Sequence, residues 1–257
     1  MQELLAIGSE SKLYIAIRPS LKGLYIAKVA KRVHFNSQII KEHKILEKLK
    51  HRSLPEVVEL YTEDQKHAIS YRKYYSGYTI HELVSNANYF TQNRKNLNAL
   101  FCKFIDLIDV LEYIHINGII HRDIRPRNIL IKLDNLNDIE HGLILLDFGI
   151  STNRNETPVQ RGDLNWAHPD QLSLKLKPID NHDFYSLVKL ILYCLNEFNP
   201  KKYTRLKREI SNDWINESRT LYELVIYCKN ALLHSPFADY FEIKKLKHFL
   251  QLLIKEV

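Results

Sequence analysis

The amino-acid sequence predicts an α+β chain of two unequal parts, a small strand-rich one with one helix and a larger, mainly helical one. Two observations carry this prediction. Four short runs rich in β-branched and aromatic residues, ELLAIG, KLYIAIR, GLYIAKV and HAISYRKY, fill most of the first 80 residues. Runs of that kind, separated by turn signals, read as strands. Beyond about residue 80 the apolar residues recur at helical spacing instead. The 257 residues are thus divided at about 1–75 and 76–257, and together form a single domain with no linker or internal repeat.

Each element follows from its local pattern. SLKG marks the turn between the second and third strands. NSQIIKEHKILEKLKH is the one helix of the first part, with Ile39, Ile40, Ile45, Leu46 and Leu49 on its apolar stripe and Asn36 or Ser37 as the expected cap. In the second part, Leu97, Leu100, Phe101, Phe104, Ile108, Leu111 and Ile114 predict a long helix that Gly118 terminates. NILIKL and GLILLDF follow as short strands, and helices are predicted over 182–196, 219–233 and 240–256.

Composition bounds the function. With 45% apolar residues the chain can bury a sizeable core, and no apolar run reaches the roughly 18–20 residues that cross a bilayer. The start, MQELLAIGSE, lacks the pattern of a secretory signal. Three widely spaced cysteines, Cys102, Cys194 and Cys228, sit in apolar helical patterns and read as reduced core residues. A cytoplasmic protein is expected. The net charge of +7 favours acidic or phosphate-bearing partners, but the basic residues are scattered and predict no specific nucleic-acid binding. The twelve histidines show no metal-ligand spacing.

The chemistry concentrates in IIHRDIRPRNILI, residues 119–131, where Asp123 and Asn128 lie between two apolar runs. Nineteen residues after Asn128, Asp147 ends the strand of LLDFGI. Carboxylate and carboxamide oxygens suit Mg²⁺, which keeps part of its shell for substrate phosphates. A second carboxylate beside such an ion can take the proton of an attacking hydroxyl.

HRDIRPRN and DFG, in this order and about 20 residues apart, resemble the catalytic and metal-binding loops of the eukaryotic-type protein kinase family, over about residues 5–190. The resemblance implies a bilobal protein-kinase-like fold, ATP and Mg²⁺ as nucleotide and metal, and protein substrates. It makes Asp123 the catalytic base, places Mg²⁺ on Asn128 and Asp147, and has His121 and Arg122 brace the loop. LYIAK then supplies Lys28 for the α- and β-phosphates, and Glu42, fourteen residues later, is its ion-pair partner. AIGSESKL stands for the phosphate-covering loop: Ala6, Gly8 and Ser11 take the three glycine positions and only Gly8 keeps its glycine. Ala6, Leu13 and Ile26 are expected to line the adenine pocket. GDLNWAHPDQL resembles the end of a kinase activation segment, and in DFYSL Asp183 is expected to hold the catalytic loop's backbone.

Several positions depart from the family pattern. Arg125 replaces the lysine that touches the transferring phosphate, and Asp163 replaces the threonine that contacts it; a bidentate Arg125–Asp163 pair is expected. Arg127 replaces a glutamate, which points to acidic or already phosphorylated protein substrates. Asp170 stands where the family has a glutamate paired with an arginine, and LLHSPFADYF offers no such arginine. Ser151, Thr152 and Thr157 are candidate phosphate acceptors, with Arg122 or Arg154 as partners. Arg125–Pro126 follows the serine/threonine rather than the tyrosine form. The worn phosphate loop keeps open a nucleotide-dependent binding module, a small-molecule kinase is the other alternative, and the compact form points to an activating protein partner.

Overall fold

The structure, a computed structural model, describes residues 2–17, 23–63, 66–85, 89–132, 142–158, 162–173, 177–199 and 213–256. Strands β1 (Gln2–Ile7), β2 (Ser11–Ile17), β3 (Leu24–Ala30), β4 (Val57–Tyr61) and β5 (Ile69–Lys73) form an antiparallel sheet in the order β1-β2-β3-β5-β4. Helix α1 (Asn36–Lys48) packs on β3, β4 and β5. All four expected strands are present. The fifth, β4, was not legible because Glu59 interrupts its apolar run and its register shifts between Val57 and Glu59. The SLKG turn lies outside the described residues except for Gly23.

Period-two geometry sorts the strand residues onto two faces. Ala6 lies opposite Leu13, Leu13 opposite Lys28, and Lys28 opposite Ser70, while Ile26 lies opposite Arg72. These residues share the face that carries Lys28 toward α1. Ala16, Ala27 and Tyr71 pack with Tyr14, Val29 and Ile69 on the other face.

Asn36 does not cap α1. Phe35 holds the cap position, and the Asn36 amide instead donates to Lys66 O and accepts from Ala68 N–H, both at 2.8 Å, tying the start of the helix to the loop before β5. A short helical turn at Val33–Phe35 leads into α1 and relieves the need for a side-chain cap there.

The second part is built on α3 (Arg94–Ile116), α5 (Asp180–Cys194), α6 (Arg219–Leu233) and α7 (Ile243–Lys255). Shorter elements complete it: β6 (Gly77–Thr79), α2 (Ile80–Ser85), β7 (Ile119–Ile120), β8 (Ile129–Lys132), β9 (Leu143–Leu145), β10 (Thr152–Asn153) and α4 (Pro169–Ser173). Asn93 caps α3 by accepting Asn96 N–H at 2.9 Å, so the helix starts earlier than its apolar stripe. Gly118 ends it as expected, with φ 77° and its N–H on His115 O. Leu100, Phe104, Leu107, Ile108 and Leu111 of α3 and Leu187, Leu190 and Ile191 of α5 are fully buried in one core, which also takes in Leu246 and Leu250 of α7. Cys194 and Cys228 belong to that core, whereas Cys102 is only half-buried; none of the three is in a disulfide. No described helix is long and apolar enough to cross a membrane.

This core positions the site. The rigid α3–α5 pair supports β7, whose two isoleucines carry the chain straight into the His121–Asn128 loop, and β8 pairs with β9, which delivers Asp147.

Candidate active site

Asp183, fully buried near the start of α5, organises the loop. Its Oδ2 accepts His121 N–H and the His115 ring at 2.8 Å, and its Oδ1 accepts Arg122 N–H at 2.7 Å. Burial would raise this carboxyl, but the hydrogen bonds from the His115 ring and from Arg122 N–H hold it below its ordinary range. Arg122 has φ 69°, a left-handed conformation that costs a side-chain-bearing residue roughly 1–3 kcal/mol. The Asp183 contact fixes it there. Gln171 Nε2 donates to Arg122 O at 2.7 Å, passing so close to Gly162 (φ 89°) that any Cβ would collide with it.

The loop then turns Asp123 toward the cleft. Its N–H donates to His121 Nδ1 at 3.2 Å, so His121 Nε2 carries the proton and donates to Leu146 O at 3.0 Å. Asn128 Nδ2 donates to Asp123 Oδ2 at 2.7 Å and to Asp123 O at 2.9 Å. That leaves the Asn128 carbonyl oxygen as an acceptor beside the carboxylate. Burial pushes the Asp123 carboxyl above its ordinary value, and the charge of Arg125 and the hydrogen bond from Asn128 offset part of the rise.

Arg125 is shared rather than bidentate. Its Nη1 meets Asp163 Oδ2 at 3.0 Å while its Nε lies 3.3 Å from Asp123 Oδ1. The guanidinium therefore spans two carboxylates, and the other Asp163 oxygen accepts Asn165 N–H at 2.8 Å. Replacing Arg125 with methionine removes the nearest cation from Asp123. The acid limb of a pH–rate profile is then expected to move to higher pH, and an unmoved limb would show that Asp123 does not feel Arg125.

From the other side come Lys28 and Glu42. Lys28 Nζ lies 2.7 Å from both Glu42 Oε2 and Asp147 Oδ1. Burial alone would lower the lysine, but Asp147 and Glu42 outweigh it and raise it; Lys28 in turn holds Asp147 far below the usual carboxylate range. Asp147 has φ 60°, and Gly149 N–H donates to its Oδ1 at 3.3 Å. Glu42 also accepts Arg72 Nη1 at 2.9 Å. Arg72 was not identified from the sequence, since ISYRK gives no sign of which strand face is inward.

A cavity of about 450 Å³ joins these groups, lined by Gly8 and Ser11 above and by Lys28, Asp123, Arg125 and Asp147 within. Ala6, Leu13 and Ile26 lie on the Lys28 face of the sheet but outside that lining. Gly8 N–H donates to Ser11 O, closing the β1–β2 turn over the cavity mouth.

Two expectations for the following segment are corrected. Ser151 and Thr152 are each about 1% exposed, Ser151 Oγ donates to His121 O, and Thr152 pairs in β10 with Ile120 of β7; neither hydroxyl is available for modification, which leaves the exposed Thr157. Arg154 Nη2 is engaged by Asp180 at 2.6 Å and by His115 O. Asp170 N–H donates to His168 Nδ1 at 3.1 Å, and its carboxylate lies 3.7 Å from the same nitrogen. His168 stacks on His182 at 5.1 Å and meets Tyr185 and Phe237 edge-on. One ligand atom from each of His168, Asp170 and His182 lies within 4.8 Å of the other two, and neither ring nitrogen of the buried His182 has a hydrogen-bond partner among the described residues.

The strand-rich part and the helical part thus bring a lysine and two aspartates to one cavity, with an asparagine bonded to one of the aspartates. The chain belongs to the protein kinase domain family, whose sequence profile matches residues 1–255. A protein of Acanthamoeba polyphaga mimivirus named for serine/threonine kinase activity is 35% identical over 119 residues, covering 42% of this chain and 40% of the relative. Serine/threonine-protein kinase B of Synechocystis is 25% identical over 178 residues, 64% of this chain and 29% of the relative. Calcium/calmodulin-dependent protein kinase type 1 of Caenorhabditis briggsae is 25% identical over 154 residues, 58% of this chain and 41% of the relative. The chain spans well under two thirds of the length of these relatives.

Proposed function

We propose that the chain is an MgATP-dependent protein kinase that phosphorylates serine and threonine hydroxyls. The observation that carries the reading is the convergence of Lys28 and Glu42, from the sheet and α1, with Asp123 and Asp147, from the helical part, around one cavity, with Asn128 bonded to Asp123 behind that lining. In this reaction the bond between the β,γ-bridging oxygen and the γ-phosphorus of ATP breaks, ADP departs, and the acceptor oxygen takes the phosphoryl group. Asp123 accepts the hydroxyl proton. Lys28, oriented by Glu42, holds the α- and β-phosphates, and Arg125 faces the phosphoryl group in transit. Asn128 and Asp147 offer the hard oxygens that suit Mg²⁺, which when bound neutralises charge on the phosphates. The turn from Gly8 to Ser11, closed by the Gly8 N–H to Ser11 O bond, covers the cleft.

Ser/Thr acceptors are favoured by the Arg125–Pro126 form of the loop. The proposed substrates are acidic or already phosphorylated protein segments, because Arg127 is exposed and places a cation beside Asp123's loop, with one N–H on His81.

Labelled ATP, Mg²⁺ and a mixed protein substrate test this. Phosphoserine and phosphothreonine are expected with the wild-type chain, and labelling at least about a hundredfold slower with Asp123→Asn. Equal labelling by both proteins, or label on tyrosine alone, would overturn the reading.

A further inference from the structure

Glu42 is given more positive charge than one lysine supplies. Its Oε2 accepts Lys28, while its Oε1 accepts both Arg72 Nη1 and Phe148 N–H at 2.9 Å. Arg72 projects from β5 opposite Ile26, on the face that carries Lys28, and is only 7% exposed. Its Nε makes a long contact of 3.4 Å with Ser70 Oγ, and its Nη2 has no hydrogen-bond partner. An arginine so deeply buried, with an idle N–H group, is costly unless its charge is needed. A methionine of similar volume would fill the same space without that cost.

The charges explain the need. Lys28 and Arg72 balance Glu42 and Asp147, so the cluster is neutral as it stands. In the proposed reaction Lys28 turns to the phosphates and Asp147 to the metal. Glu42 would then sit fully buried while its lysine is drawn to a competing anion. Arg72 does not line the cavity, so a nucleotide bound there would not compete for it. Burial would raise the Glu42 carboxyl, yet Arg72 and then Lys28 hold it below its ordinary value, with Arg72 the stronger of the two.

We propose that Arg72 is a positioning residue, a standing counter-ion that keeps Glu42 and helix α1 in place while Lys28 serves the nucleotide. This rests on the roles assigned above to Lys28 and Asp147. It makes the inward placement of α1 a property of the folded chain rather than of the Lys28–Glu42 pair alone.

Hydrogen exchange of the α1 amides, measured without nucleotide, isolates this role. Lys28→Met should change α1 exchange by less than about threefold, because Arg72 still neutralises Glu42. Arg72→Met should speed it roughly tenfold and the double variant more than about a hundredfold, with exchange in α3 unchanged in each. In turnover, Arg72→Met should lower kcat roughly 10–100-fold while KM for MgATP moves less than about threefold. Arg72→Lys, which keeps the charge, should recover most of both. The inference is overturned if Arg72→Met leaves α1 exchange and kcat untouched, if Lys28→Met alone frees α1 as fully as the double variant, or if Arg72→Lys behaves as Arg72→Met does. It is equally overturned if Arg72→Met frees α3 together with α1, the mark of a purely structural residue. A wild-type chain that binds no nucleotide would contradict the proposed function instead, and the exchange arm, which needs none, would still decide Arg72.

Discussion

Asp123→Asn is expected to lower kcat by roughly 10²–10⁴-fold while leaving MgATP affinity within about threefold of wild type. The carboxylate is positioned by contacts that an amide can keep only in part. His121 accepts the backbone N–H of residue 123, and Asn128 donates to the backbone carbonyl, so the loop's path is preserved. What disappears is the proton acceptor and the negative end of the Arg125 contact at 3.3 Å. Nucleotide affinity is unaffected because Lys28, Asn128 and Asp147 remain. Steady-state kinetics beside a direct binding titration check both halves. A variant that loses binding and turnover together would show that Asp123 helps to hold the nucleotide site.

Asp183→Ala is expected to destabilise the chain by about 3–5 kcal/mol and to abolish turnover even where the protein still folds. Two buried backbone N–H groups, of His121 and Arg122, lose their acceptor, and His115 loses its partner. Arg122 then has nothing to offset its left-handed conformation, and the loop carrying Asp123 relaxes away from the cleft. Denaturant melts of the variant give the first quantity. The pH dependence supplies a second check. The folded carboxyl titrates below its unfolded value of about 3.9, so its contribution is present above that pH and is lost as pH falls through the lower folded value. Asp183→Asn should therefore flatten the acid end of the stability profile. An unchanged profile would mean that Asp183 is not a charged anchor.

The outline of the site was legible because its chemistry is local in sequence. HRDIRPRN and DFG each place reactive groups at the end of an apolar run, and the spacing of Lys28 and Glu42 survives as a 2.7 Å contact. Asp183 was also legible through DFYSL. Harder to read were features that depend on which face of an element turns inward. Arg72 and Ser70 alternate with Ile69 and Tyr71, and nothing local shows that the polar face is the one turned toward Glu42. Ser151 and Thr152 look like exposed loop hydroxyls until β10 pairs with β7 and buries them. Arg125 was expected to pair with Asp163 alone, because its distance to Asp123 depends on the fold of the loop. The boundary of α3 moved for a different reason: a capping asparagine extends a helix beyond its apolar stripe.

Titrating ATP into the chain with and without Mg²⁺, for wild type, Lys28→Met and Asp147→Asn, tests most directly whether groups from both parts meet on one nucleotide–metal complex. Wild type should bind at least about tenfold more tightly with Mg²⁺, Asp147→Asn should lose that dependence, and Lys28→Met should weaken binding in both conditions. ATP affinity indifferent to Mg²⁺ and to both substitutions would contradict it.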